Sequence, residues 1–346
     1  MSTDAATDAL DGAIPPAQNT RLFGHEAAET FLAQSYRSGK GHHAILIEGP
    51  QGIGKATLAF RFANHILRHP EPEHAPDHLS DPDPNTSVSR QISSGASHNL
   101  LHMTRPVDEK TGKVKSAITV DEVRKAGKFF SQTSGTGNWR IVIIDPADDL
   151  NRNAANAILK ILEEPPKRSM FLVLTHAPGR LLPTIRSRCL PLKLQPLPHA
   201  ALALALSNLG VGSSGEGAQD ALNAAKGSVS EALTLLNYGG AEVIRAFNSA
   251  LTKDGPTARK EMHRLADVLS GKDSEILFNF FSSHIHDHIM SAATSAAKEG
   301  NLSGANTLAR LTATITERMT TAKAFNLDRK QTILSVLEDL KSASRG

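Results

Sequence analysis

The chain has a single cysteine, Cys189, in 346 residues. One thiol excludes an internal disulfide and any cysteine-based zinc site, and a reducing cytoplasm fits that usage best. Aromatic residues are scarce as well, at 4% with one Trp and two Tyr, which argues against a surface of base-stacking rings. Charge of one sign is also lacking. The 38 Lys and Arg stand against 35 Asp and Glu for a net +3, so any contact with nucleic acid must be local rather than a property of the whole surface. No apolar run approaches the roughly 18 residues of a membrane span, and a soluble protein is expected. The opening MSTDAATDALDGAIPPAQNT is polar and acidic, without the basic and apolar segments of a signal peptide. Residues 1–20 are read as a disordered leader.

What the sequence does contain is an almost complete phosphate loop. Gly49-Pro50-Gln51-Gly52-Ile53-Gly54-Lys55 follows the apolar run Ala44–Ile47 and leads into Ala56-Thr57-Leu58-Ala59-Phe60, giving the strand, glycine-rich turn and helix that the motif requires. Gly49, Gly52 and Gly54 let backbone N–H groups turn inward around a phosphate, while the helix N-terminus and the Lys55 ammonium supply positive charge. The hydroxyl that would hold Mg²⁺ is missing, because Ala56 occupies its position. Thr57 is a poor substitute, since the next helical residue points about 100° away. Such a loop can seat a nucleotide but is poorly built to hydrolyse one. A second nucleotide-site signal is Ile141-Val142-Ile143-Ile144-Asp145, an apolar strand ending in an acid of the kind that helps position Mg²⁺. The residue that follows is Pro146, where a water-preparing glutamate usually stands.

From residue 21 to 195, short aliphatic runs (Ala44–Ile47, Arg140–Ile144, Met170–Leu174) alternate with helical patterns (56–67, 121–130, 153–162). That alternation predicts an α/β domain with a parallel sheet covered on both faces. Thr119-Val120-Asp121-Glu122 has the spacing of a helix-starting capping box. Residues 70–105, rich in His, Pro, Asp and Ser, show no periodicity and read as an exposed insertion. After Pro198 the chain turns to alanine- and leucine-rich helices broken by glycines at Gly210–Gly217 and Gly239-Gly240. It ends in a helix over 330–340 whose Ile333, Leu334, Leu337 and Leu340 share one face. The domains read as 21–195 nucleotide-binding-like, 196–240 a small helical lid, and 241–346 a helical bundle.

The stretch Asn153-Ala154-Ala155-Asn156-Ala157-Ile158-Leu159-Lys160-Ile161-Leu162-Glu163-Glu164-Pro165-Pro166 carries a family resemblance. It is joined by Thr175-His176-Ala177-Pro178, by Pro183-Thr184-Ile185-Arg186-Ser187-Arg188-Cys189 and by Gly227-Ser228-Val229-Ser230-Glu231-Ala232-Leu233. Together these segments resemble the clamp-loader branch of the AAA+ ATPases, clearly over residues 20–240 and thereafter only in composition and position. The resemblance implies an AAA+ P-loop domain, a lid and an all-α collar through which subunits assemble. It assigns Lys55 and its glycines to the phosphate loop, Asp145 to the Walker B acid, Thr175 to the sensor 1 strand end and Arg188 to an arginine finger directed at a neighbour's ATP. Ser230 falls where an active motor subunit carries a sensor 2 arginine.

With Ala56, Pro146 and Ser230 in place of the cis-acting groups, the resemblance points to a non-motor subunit. Any ATP would be bound weakly or left unhydrolysed, and Mg²⁺ is left open. The implied partners are the gamma/tau motor and delta subunits, with the sliding clamp met indirectly and primed DNA weakly through the complex. The alternative is an autonomous AAA+ ATPase such as a motor subunit. A stand-alone DNA-binding protein is disfavoured by charge and aromatic content. Lys110, Lys113, Lys115, Arg124, Lys125 and Lys128 are scattered cations that could meet phosphates. His65, His69, His74 and His78 stand where the family often carries a four-cysteine zinc module, but Pro70, Pro72 and Pro76 break any common helix, so zinc is not expected. Cys189 reads as a small buried hydrophobe.

Overall fold

The computed structural model describes residues 10–108, 110–131, 137–211, 218–271, 274–325 and 327–343. The glycine-rich break at 212–217 and residues 1–9 of the expected leader lie outside the described residues. The described chain divides into two compact units, residues 1–230 and 231–346. The division falls inside the span read as a lid.

The first unit is built on five parallel strands: β1 (Ala44–Glu48), β2 (Leu100–Met103), β3 (Arg140–Ile144), β4 (Ser169–Thr175) and β5 (Leu190–Lys193). They lie side by side in the order β2-β3-β4-β1-β5. Side chains alternate across a strand, and the cores show it. Ile45, Ile47, Ile141, Ile143, Leu172 and Leu174 enter one core together with Leu32 of α1 (Glu26–Arg37) and Leu58, Phe62 and Ile66 of α2 (Lys55–Arg68). Ala44, Leu46, Val142, Ile144, Phe171 and Val173 enter the other. After a short α3 (Ser87–Ser93), that second face is covered by α4 (Val120–Ser131), α5 (Arg152–Glu163) and the single turn α6 (Pro183–Arg186), through residues such as Val123, Ile158 and Ile185. A sheet sealed on both sides reads as uninterrupted aliphatic runs. This is why three strands were legible in sequence. The short β5, broken by Pro191, and β2, with His102 in it, were not.

Residues 70–105 are largely exposed, as expected, but they also contain α3 and the edge strand β2, and polar bonds staple the preceding loop to the domain. The buried Arg61 guanidinium donates to Glu29 Oε1 and Asp81 Oδ1, both at 2.8 Å, and to the Thr20 carbonyl. Arg168 donates to both carboxylate oxygens of Glu71, and Trp139 Nε1 donates to the Pro70 carbonyl at 2.9 Å. With Thr20 held by Arg61 and Ala17 packed on the core, the ordered body begins inside the span read as leader. Among the described residues, no group of three or more His, Cys, Asp or Glu is arranged to hold a metal ion.

Three further helices follow: α7 (His199–Asn208), α8 (Ala218–Ala224) and α9 (Val229–Asn237), the last starting at the division between the units. The second unit holds α10 (Gly240–Thr252), α11 (Gly255–Ser270), α12 (Glu275–Lys298), α13 (Leu302–Ala324) and α14 (Arg329–Ala343). Its core joins Phe247, Leu265, Phe281, Ile285, Ile333, Val336 and Leu337, so the helical face expected near the C-terminus is buried. Among the described residues, no helix is long and apolar enough to cross a membrane.

His65 sets a pH limit on the first unit. It lies on α2, 6% exposed, against Tyr36 and His69, with Nε2 lacking a hydrogen-bond partner. Burial first, then the neighbouring His69, His78 and Arg68, lower its pKa from 6.5 to about 4. The folded value lies below the unfolded one, so this contribution to stability is present above about pH 6.5 and lost as pH falls toward 4. Urea unfolding at pH 7 and pH 4.5 should show a loss of order 1–3 kcal/mol. His65→Gln should flatten that slope, and an unchanged slope would count against this assignment.

Candidate functional site

The phosphate loop connects β1 to α2, and its glycines are there for steric reasons. Gly49, Gly52 and Gly54 have φ of 153°, 74° and 105°, values that residues with a Cβ rarely adopt. A Cβ on Gly52 would lie 1.8 Å from Ser230 Oγ and 2.5 Å from Ser228 Oγ. Residues 228–230 are thus pressed onto the loop, and the Val229 N–H donates to the Gly52 carbonyl at 2.9 Å. His25 Nε2–H donates to the Ile53 carbonyl at 2.7 Å. Lys55, only 4% exposed, turns its ammonium back onto the carbonyls of Gly49 (2.7 Å) and Pro50 (2.5 Å). Burial lowers the Lys55 pKa to about 8, against the opposing pull of Asp145 and Asp148. Carbonyls of Gly49, Pro50, Gly52 and Ile53 are therefore all bonded by the protein itself.

The acids lie at the same end of the sheet as the loop, just after β3. Asp145 directly follows β3, with Oδ2 3.4 Å from His102 Nε2. Thr175 ends β4 fully buried, and its Oγ1 donates to Asp148 Oδ1 at 2.8 Å. Asp148 also accepts from the N–H groups of His176 (2.7 Å) and Ala177 (3.2 Å). Asp148 was not singled out in sequence. It stands in the turn Ala147-Asp148-Asp149, two residues past Pro146, and the only signal was a second acid after the strand-ending one. His176 is held neutral: burial foremost, and the nearby Lys55, lower its pKa to about 4. Ala56 packs on the apolar core and Thr57 is buried. Thr57 therefore presents no open hydroxyl in place of the one missing at position 56.

Arg188 is at the other end of the sheet. It precedes β5, whose Leu190 pairs with Ile45, whereas the phosphate loop begins four residues past Ile45 at Gly49. At about 3.3 Å per residue that is roughly 13 Å of strand. Arg188 Nη2 donates to Glu163 Oε1 at 2.6 Å and Nη1 to the Thr184 carbonyl at 3.0 Å, leaving the side chain about a third exposed. Its polar partners thus belong to α5, α6 and Ser187 just after α6, none to the phosphate loop. Arg186 makes one long bond to the Pro178 carbonyl. Cys189 is buried, its thiol pKa raised to about 11 by burial, which removes it from nucleophilic chemistry. Two of the scattered cations, Arg124 and Lys125, pair with Asp121 and Glu122 one turn back on α4.

Comparison with known proteins adds to this geometry. The family model described as DNA polymerase III, delta subunit, matches residues 24–198. The chain belongs to this family. The DNA polymerase III delta-subunit family match runs from the start of α1 to the start of α7, so it contains the phosphate loop, Asp145, Thr175 and Arg188. The chain is 37% identical over 163 residues to the DNA polymerase III subunit delta′ of Pseudomonas aeruginosa, covering 47% of this chain and 45% of that protein. It is 32% identical over 169 residues to subunit delta′ of Escherichia coli K12, covering 49% and 47%. The chain thus spans about half the length of the curated relatives it matches. A solved Thermotoga maritima protein related to the DNA polymerase III gamma subunit aligns over 93% of this chain and 100% of its own, at 16% identity and a TM-score of 0.44.

The contact between the loop and residues 228–230 can be tested by stability. Gly52→Ala adds a Cβ at positive φ against two serine hydroxyls and should cost about 1–3 kcal/mol in urea unfolding. Adding Ser230→Ala, which removes the nearest atom, should recover part of that loss. A neutral Gly52→Ala variant would show that the loop is not held against residues 228–230 in this way.

Proposed function

We propose that the chain is a non-motor subunit of a bacterial DNA polymerase III clamp loader. In this reading it is cytoplasmic, assembles with the gamma/tau motor and delta subunits, and supports ATP-dependent loading of the sliding clamp onto primed DNA. It completes a neighbour's ATP site rather than using its own. The observation that carries this reading is the separation of Arg188 from the phosphate loop along the parallel sheet. A guanidinium on the opposite end of the strands, a third exposed and held by Glu163 and Thr184, cannot serve its own loop but is available to a subunit packed on that side.

The cis side agrees with it. Lys55 is spent on loop carbonyls, Ala56 removes the Mg²⁺ hydroxyl, Pro146 removes the water-preparing acid, and Ser230 packs on Gly52 where a motor subunit would present a cation. An arginine finger stabilises charge that develops only during phosphoryl transfer and is worth about 10³–10⁵ in rate at the site it completes. Keeping Arg188 while losing the cis groups is therefore physically coherent. The alternative, an autonomous AAA+ ATPase, would have to work without any of these cis groups. ATP could still occupy the loop weakly, without turnover.

The test is ATP hydrolysis by a reconstituted loader with clamp and primed DNA. Arg188→Ala should leave assembly intact and abolish the turnover of one motor site, at least about 10³-fold at that site. Arg188→Lys should rescue poorly, because a point charge does not reproduce the planar fork. Arg186→Ala is the neighbouring control. Unchanged turnover in Arg188→Ala, or a larger loss in Arg186→Ala, would overturn the assignment.

A second experiment addresses assembly. The C-terminal helices have a core of their own, and we assign residues 241–346 as the collar that joins subunits. Removing them should leave a folded α/β unit that no longer coassembles, as read by size-exclusion chromatography with the partner subunits. Coassembly at near-native affinity would contradict this role.

A further inference from the structure

We propose a second ligand site, for a nucleoside phosphate, at the amino-terminal end of the sheet, away from the phosphate loop. A cavity of about 350 Å³ lies there, lined by Phe130, Asn138, Arg140, Pro166, Lys167 and Arg168 among others. Its volume is at the lower end of the 300–1,000 Å³ typical of small-molecule sites. Arg140 opens β3, and Lys167 and Arg168 immediately precede β4. In a parallel sheet this places all three cations at the edge opposite the one that carries Gly49–Lys55.

The charge balance of the cavity is unusual. Three cations line it and no carboxylate does among the described residues. Arg168 is partly neutralised, since it donates to Glu71 and to the Gly137 carbonyl (2.9 Å). It reaches them from a positive φ of 54°, a conformation uncommon for a non-glycine residue and often found at functional positions. Lys167 is exposed. Arg140 stacks its guanidinium over the Phe129 ring at 5.1 Å, and its Nη1 is buried with no hydrogen-bond partner. A buried guanidinium N–H without an acceptor is costly, and a turn of the Arg140 head into the cavity would let an anionic oxygen satisfy it with a charge-assisted bond.

A second hollow of about 180 Å³ adjoins the first, sharing Pro166 and Arg168; Tyr36 and Phe62 behind it are buried in the core, so the ring faces it offers are those of Trp139 and of His42 and His43, which stack on each other at 4.6 Å. Its rings are held in place: Trp139 by Pro70, Tyr36 by a 2.6 Å bond from its hydroxyl to the His69 carbonyl, and His43 by the Leu162 carbonyl at 3.0 Å. Cations beside a preformed aromatic hollow match a ligand with a phosphate at one end and a flat heterocycle at the other. The rings would take the base by stacking and the cations would take the phosphates.

Trp139 is the only tryptophan in the chain, so its fluorescence reports on this hollow directly. The full chain should be titrated with ADP, pyrophosphate and adenosine, following Trp139 emission and, in parallel, binding heat. We expect saturable binding of ADP at least tenfold tighter than of pyrophosphate or adenosine. Lys167→Met and Arg140→Met should each weaken ADP at least tenfold, while Lys55→Ala, in the phosphate loop, should change it less than twofold. Lys167 is exposed, so its variant decides the matter even if Arg140→Met fails to fold. The proposal is overturned by absence of saturable ADP binding, by equal affinities for ADP and pyrophosphate, by loss of binding in Lys55→Ala alone, or by unchanged affinity in Lys167→Met.

Discussion

The bond between the Val229 N–H and the Gly52 carbonyl, with Ser228 and Ser230 closing over Gly52, is the contact on which the rest of the α/β unit's logic depends. A phosphate loop works as an anion site because its amides, its lysine and the helix behind it face an empty cradle. Here the lysine is bonded to the carbonyls of Gly49 and Pro50, His25 holds Ile53, and the segment leading into α9 sits on Gly52. The glycines remain necessary because only they tolerate those dihedrals and that close approach. Here they also seat residues 228–230. A loop of this sequence can therefore persist on structural grounds alone.

The parallel sheet adds the second constraint. All five strands run the same way, so their two ends are chemically distinct. The carboxyl-terminal ends carry the loop, Asp145 and the Thr175–Asp148 pair. The amino-terminal ends carry Arg188 with Glu163 on one side and Arg140, Lys167 and Arg168 on the other. A side chain at one end cannot reach the other without unthreading a strand. This separates what the chain can do for itself from what it can offer to another molecule. The Glu163 to Arg188 ion pair is partly exposed, and such pairs are worth only about 0–1 kcal/mol. It therefore adds little to stability.

Much of this was legible in the sequence because both faces of the sheet are buried. The aliphatic runs of β1, β3 and β4 have no other reading, and the order of strand, glycine turn and helix fixed the place of the loop. The short edge strands β2 and β5 escaped, since a polar His102 and a Pro191 interrupt their apolar character and edge position relaxes the need for it. The exposure of 70–105 was legible, because composition reports solvent preference, but its staples are single long-range bonds such as Arg61 to Asp81 that no local pattern encodes. Asp148 escaped for the same reason: its role is defined by three donors from the end of β4, 27 to 29 residues away in sequence. The basic cavity is assembled from two loops that are neighbours only because β3 and β4 pair.

The most direct measurement of the central claim is ATP turnover by the purified chain alone, with Mg²⁺ at neutral pH and with Lys55→Ala alongside. If the loop is committed to the protein's own contacts, neither form turns over ATP above background and Lys55→Ala changes nothing in the assay. Turnover in the range of about 1–100 s⁻¹ that is typical of phosphoryl-transfer enzymes such as kinases, abolished by Lys55→Ala, would show a working cis site and contradict the account.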